Sequence, residues 1–382
     1  MTYQPLNVSR VKPKTSGPSF LRRFDAGGIL MQVIMRQRKT GLTAIKRGYL
    51  SAVSVIIAIL LMVLLGGRTV QAAGASEIRI AVSDIGAGSQ PSGGGLIDLI
   101  YSQKRLEREF GRDGISIRWL FIKGAGPVIN EGFANHQIDM AYLGDLASII
   151  GRSRGLDSTV IGAAARGVNH YLAVARGSAI HRLEDLKGKR VALFRGTAAE
   201  LSFVAALRAR GLTEADMKII NLDFTAASAA LAAGHIDATW GGSNTLALRD
   251  KGLADIAIST RDLQGAGQLA GFILIDGAFA RQNPDILARI IKVQKEAAQW
   301  AGQPENRDEY IQRLAAQSGY PEKLLREDLA DAPLSHLLSP ELDSGFVATI
   351  KNSVALAYES KLIRQPFSVD DWFDHAFLKR QP

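Results

Sequence analysis

Apolar and polar positions alternate over Glu77–Ser83, the period of two expected of a strand, and the chain then enters a glycine-rich turn from Gly86 to Gly95. Leu96–Phe110 predicts a helix, Ile115–Ile122 a strand, and Gly124-Ala125-Gly126-Pro127 a junction with proline at the start of a helix that runs through Ala134. A strand at Ile138–Leu143 and a helix from Asp145 follow. The pattern is most explicit in Leu183–Gly211. There Val191–Phe194 is a short apolar run of the kind buried on both faces of a parallel sheet. Thr197 and Glu200 have capping-box spacing, Leu201, Val204 and Ala205 share a helical face, and Gly211 marks the stop. Tyr171–Ala175 and Phe272–Ile275 read as strands that carry the chain between two lobes. Beyond residue 276 the pattern turns helical, over Asn283–Gln299, Arg307–Gln317, Pro321–Leu329 and Pro340–Ser360.

An internal echo organises these elements. The stretch from Ala134 through Ile138-Asp139 to Asp145 recurs from Ala233 through Ile236-Asp237 to Ser243, each copy flanked by helices and offset by 98 residues, about one small α/β domain. The expected fold class is therefore α/β, two-lobed, with mostly parallel sheets and hinge crossings. The expected division is a leader over 1–72, a first lobe from 73–168 and 276–382, and a second lobe over 169–275.

Charge changes the picture only at the amino end. The chain has a net charge of +9, but residues 1–72 hold 11 Lys/Arg against the single carboxylate of Asp25, which leaves 35 basic and 36 acidic residues in the body. A basic nucleic-acid-binding face is thus not indicated. Basic residues through Arg47, the apolar run Tyr49–Leu65 and the small residues around Val70-Gln71-Ala72 have the order of a secretory signal cut after Ala72. The run is slightly long and Arg68 interrupts it, so an uncleaved membrane anchor is the alternative, and Met31 or Met35 are alternative starts. The chain has no cysteine, which removes disulfides, thiol catalysis and thiol lipidation; a periplasmic location is expected.

Candidate chemistry gathers where strands end and helices begin. These junctions are Ser89/Gln90, Gly126, Gly144/Asp145, Gly196/Thr197/Ala198 and Ser243, to which the first crossing adds Asn169 and His170 and a strand end adds Trp240. In open α/β sheets such carboxyl ends hold ligands, and a helix start offers unpaired N–H groups to an anion. Each residue also has a plainer reading, with Asp145 and Ser243 as caps and Trp240 as core. G-x-S-x-G, Walker and H-E-x-x-H motifs are missing, and the six histidines have no ligand spacing, so no catalytic residue, metal or cofactor is expected.

Leu186-Lys187-Gly188-Lys189-Arg190-Val191-Ala192, the Gly196-Thr197 helix start and the doubled helix, His, Ile-Asp-Ala unit resemble the substrate-binding proteins of ABC importers, in the branch for aliphatic sulfonates, taurine and nitrate. The resemblance covers roughly residues 77–362. It implies a type II-like periplasmic-binding-protein fold and capture of a small organosulfur anion between the lobes. It also implies delivery to permease and ATPase subunits at the inner membrane, by a monomer and without catalysis. A pyrimidine synthase of thiamine biosynthesis is similar too, so the alternatives are a same-fold enzyme or binder for a thiamine-pyrimidine precursor, and nitrate binding. Two departures bear on specificity: Gly241-Gly242-Ser243-Asn244 replaces the acidic-proline-aromatic stretch of many relatives, and Glu200 lies where an anion would be received.

Overall fold

The computed structural model describes residues 75–374. The leader, its cleavage point and the alternative anchor lie outside them. Among the described residues are ten strands: β1 (Glu77–Ser83), β2 (Ser116–Ile122), β3 (Met140–Gly144), β4 (Ser158–Val168), β5 (Tyr171–Ala175), β6 (Arg190–Leu193), β7 (Lys218–Asn221), β8 (Ala238–Gly241), β9 (Ala254–Ser259) and β10 (Leu269–Asp276). They form two five-stranded sheets, ordered β2-β1-β3-β10-β4 and β7-β6-β8-β5-β9. In each sheet four strands run one way and one, β10 or β5, runs against its two neighbours. The two-lobed α/β expectation holds, but Tyr171–Ala175 and Phe272–Ile275, expected to carry the chain between the lobes, lie within the antiparallel strands β5 and β10 inside the two sheets, and the chain crosses just before each of them.

The internal echo has a physical basis at the strand starts. Asp139 accepts hydrogen bonds from the Arg79 backbone N–H at 2.8 Å and from its guanidinium Nε at 2.9 Å, and Asp237 receives the same pair from Arg190 at 2.7 and 3.2 Å. The guanidinium also donates to the preceding turn, from Arg79 Nη1 to the His136 carbonyl and from Arg190 Nη2, shared with Asp237, to the Gly234 carbonyl. His136 and Gly234 occupy equivalent left-handed turns at φ 54° and 74°. Each aspartate thus locks the register of the β1/β3 or β6/β8 pair at the end remote from the strand-to-helix junctions, which explains why Ile-Asp recurs.

Several boundaries differ from expectation. β10 pairs with β3 and β4, so the chain re-enters the first sheet at Leu269, not after 275, and the second crossing spans 260–268. The helix expected over 96–110 is two, Gly95–Ser102 and Arg105–Phe110, because Lys104 adopts φ 51° and redirects the chain so that Leu106 and Phe110 become fully buried. The last long helix starts at Ser344 rather than Pro340, with the Asp343 carboxylate accepting the Phe346 N–H at 2.9 Å. Strand β4 carries no clear signal because it is rich in Ala and Gly. A Cβ at Gly162 would lie 3.1 Å from Ile273, Ile291 and the Pro340 carbonyl, so the helix Pro284–Gly302 presses directly on that strand.

Apolar packing joins the two sheets. Leu201, from the helix Ala198–Arg208 that follows β6, is buried in a cluster with Leu143, Leu146, Ala270 and Phe272 of the first sheet and its helices. Tyr171 and Leu246 enter the other first-sheet cluster, which includes Tyr142 and Ile273.

Candidate functional site

Three helix starts converge on one seam between the sheets: Ala125–Ala134 after β2, Asp145–Ser153 after β3, and Ala198–Arg208 after β6. Glycine permits their approach. A Cβ at Gly144 would lie 2.6 Å from that of Ala198, one at Gly126 would meet the Ala147 Cβ at 2.2 Å and the Gly196 carbonyl at 3.2 Å, and one at Gly196 would touch Pro127 at 3.2 Å. Gly196 also needs its φ of 74° to turn the chain into the helix. First-turn N–H groups have no partner within their own helix, so the seam concentrates donors and positive helix ends. Gly126, Gly144, Asp145, Gly196, Thr197 and Ala198 are thereby brought together.

Glu200 acts at this seam as an internal partner. Its carboxylate accepts the Gly196 N–H at 2.6 Å and pairs with Arg195, which also contacts Glu214 at 3.2 Å. Burial raises its pKa, with the Gly196 N–H and Arg195 opposing. The expected capping box does not form, because the Thr197 hydroxyl donates to the Phe194 carbonyl at 2.7 Å instead of accepting from the Glu200 N–H. Arg195, which the sequence reading missed, neutralises Glu200 from just before the turn.

Asp145 is 4% exposed. Its carboxylate accepts the Leu146 N–H at 2.7 Å and a backbone hydrogen bond from Ala270, and burial pushes its pKa up to about 7. It begins the helix, and Gly144 takes the cap position.

The remaining candidates fall elsewhere. Trp240 is 1% exposed and packs between Phe203 and His170 at ring distances of 5.6 and 6.2 Å, and its indole N–H donates to the Ser202 hydroxyl at 2.8 Å. It is a core residue of the second sheet and not a wall of the seam, since both its apolar surface and its one donor are used internally. His170 is 5% exposed, and burial pushes its pKa down to about 4, so it is neutral. Its backbone N–H donates to Thr260 Oγ1 at 3.2 Å and its carbonyl accepts the Thr260 N–H at 2.9 Å, which ties the two crossings to each other. Asn169 reinforces that tie: with its oxygen turned toward Arg261 (3.0 Å to Nε), its amide donates to Thr260 Oγ1 at 2.9 Å. Ser243 donates to Asp328 at 3.1 Å, and Tyr171 donates to the other oxygen of the same carboxylate. Asp328, on the polar helix Glu322–Asp328, thus occupies the hydroxyl proposed for a ligand; nothing in its local sequence signals that role.

Ser89 and Gln90 are exposed on a loop held from two sides. Asp84 accepts the Gly86 and Ser92 N–H groups, and the Ser318 carbonyl accepts those of Ala87 and Gly88 at 2.8 and 3.3 Å. Two surface cavities, of 380 Å³ beside Val347 and Lys351 and 490 Å³ beside Arg108 and Lys292, include none of the candidate residues. Among the described residues no helix is long and apolar enough to cross a membrane.

A crystal structure of a putative sulfonate ABC transporter periplasmic sulfonate-binding protein from Methylobacillus flagellatus KT is 30% identical and matches 80% of this chain and 93% of its own, with a TM-score of 0.68. Two putative aliphatic sulfonates-binding proteins are also similar. One, from Bacillus subtilis, is 28% identical over 80% of this chain and 90% of its own length; the other, from Escherichia coli, is 27% identical over 71% and 82%. These relatives are named as binding proteins. The family model described as NMT1/THI5 like matches residues 110–307, just over half of the chain, and the chain belongs to that family.

Proposed function

We propose that this protein is the periplasmic solute-binding component of an ABC importer and captures a small aliphatic sulfonate between its two sheets. The observation that carries the reading is the meeting of three helix starts across the Gly126/Gly144/Gly196 seam, in a chain whose relatives are named sulfonate-binding proteins. A sulfonate oxygen set is recognised by N–H donors and positive helix ends without a full counter-charge. The ligand head is placed at the N–H groups of Ala198 and Ala199 and at the starts of the two first-sheet helices, with Ser89 and Gln90 at the rim. Entry requires the halves, residues 75–168 with 269–374 and residues 171–259, to part about the crossings at 169–170 and 260–268. Trp240, His170, Asn169 and Ser243 are left out of the contact set, because their polar groups serve the core, the crossings or Asp328.

Release of the bound ligand to a permease, driven by ATP hydrolysis at an ATPase subunit, completes the cycle with no bond of the ligand made or broken. The protein is exported and works as a monomer in this reading. A thermal-shift series with taurine, ethanesulfonate, longer alkanesulfonates, nitrate and an aminopyrimidine tests it. A ligand that binds only the folded state raises Tm with concentration. Sulfonates are expected to do so; a shift with nitrate or the pyrimidine alone would overturn the ligand class.

A further inference from the structure

The outer face of the first sheet's helices carries a basic groove apart from the seam. Leu106 and Phe110 bury one side of the helix Arg105–Phe110 and the turn that follows, which leaves Arg105, Arg108 and Arg112 at i, i+3 and i+7 on the other. They line a groove of 490 Å³ opposite Arg289 and Lys292 of the helix Pro284–Gly302. The carboxylates there are largely spent. Arg289 takes Glu109 at 2.8 Å and Asp113 at 2.5 Å while lying over the Phe110 ring at 4.4 Å, and Glu296 stands 3.9 Å from Lys292. Among the described residues, Arg105, Arg108 and Arg112 pair with no carboxylate within salt-bridge distance.

Arg105 is half-buried at this groove and its Nε donates to Gln103 at 2.6 Å. Burial and then the like charges of Arg108 and Arg313 disfavour its cationic form, with only Glu296 opposing. In a body whose basic and acidic residues nearly balance, three unpaired guanidiniums in one groove are a local excess that an anion would relieve. Guanidinium presents a planar donor fork that matches phosphate oxygens two at a time. Together the three span roughly 11 Å along the helix and the turn after it, which gives room for more than one linked oxyanion.

We propose that this groove binds a polyvalent phosphate-class anion, independently of the sulfonate seam. A free diphosphate and the phosphodiester headgroups of an anionic membrane share that chemistry, and two probes distinguish them. Inorganic pyrophosphate is titrated calorimetrically at low salt, and phosphatidylcholine vesicles with and without phosphatidylglycerol are co-sedimented with the protein. The variant is Arg108→Gln/Arg112→Gln, both exposed, with unchanged Tm in the absence of probe as the check on folding. Pyrophosphate binding weakened at least tenfold in the variant supports the free anion. Phosphatidylglycerol-dependent sedimentation lost in the variant supports the headgroup. If neither probe binds the unmodified protein, or if the variant holds a probe that does bind as tightly as the unmodified protein, the proposal fails.

Discussion

At the scale of single residues, burial decides roles that spacing leaves open. Trp240 stands at the end of a strand beside glycines, which suits a ligand wall equally well; its burial between Phe203 and His170 makes it a core residue. Trp240→Ala should therefore cost about 3–5 kcal/mol of stability, the usual result of emptying a large aromatic site, and Trp240→Phe clearly less. Urea unfolding measures both, and a Trp240→Ala loss below about 1 kcal/mol would show the ring to be dispensable to the core. Asp145 and His170 make opposite demands on pH. The Asp145 carboxyl titrates near 7 when folded against 3.8 as a free side chain, so its contribution is full below about 4 and is lost as pH rises through 7. For His170 the shift is from 6.5 down to about 4, so its contribution is present above 6.5 and lost as pH falls toward 4. Asp145→Asn keeps an acceptor for Leu146 while removing the charge. It should exceed the unmodified protein in stability at pH 8 by on the order of 2–4 kcal/mol, at about 1.4 kcal/mol per pKa unit, and the gap should close toward pH 4. Denaturant midpoints across that range measure the difference, and a gap independent of pH would place the ionised form in a solvated setting.

At the scale of elements, the seam depends on what glycine omits. Gly144 has an ordinary φ of −66°, so Gly144→Ala brings no backbone strain, only a Cβ placed 2.6 Å from that of Ala198. The helix starts must then separate by several tenths of an ångström or more. The expected result is a folded protein whose sulfonate affinity falls about tenfold, a loss of about 1.4 kcal/mol, read by titration calorimetry beside a thermal melt. These elements were legible in different degrees. The Ile-Asp echo announced the repeated sheet because each aspartate must meet an arginine at the head of the neighbouring strand. Strand β4 hid because its run of Ala and Gly lacks strand formers, and at Gly162 the close approach of Ile291 from Pro284–Gly302 leaves no room for one. The break at Lys104 hid because a left-handed lysine leaves no mark in an apolar pattern. Of the candidate site, the glycines and helix starts could be read, since turn chemistry is local. The diversion of Ser243 to Asp328 could not, since the partners are 85 residues apart.

At the scale of the whole molecule, the account is of two sheets joined by crossings at 169–170 and 260–268, where Thr260 fastens one strap to the other. In the proposed function closure brings helix ends of both halves onto the ligand, so affinity and closure should be one property. The measurement that tests this most directly is calorimetric titration of an alkanesulfonate into the unmodified protein and into Gly144→Ala. One site per chain with micromolar or tighter affinity, about 8 kcal/mol, is expected for the first, and about tenfold weaker binding for the second. A folded Gly144→Ala protein that binds the sulfonate as tightly as the unmodified one would contradict the seam as the site of capture.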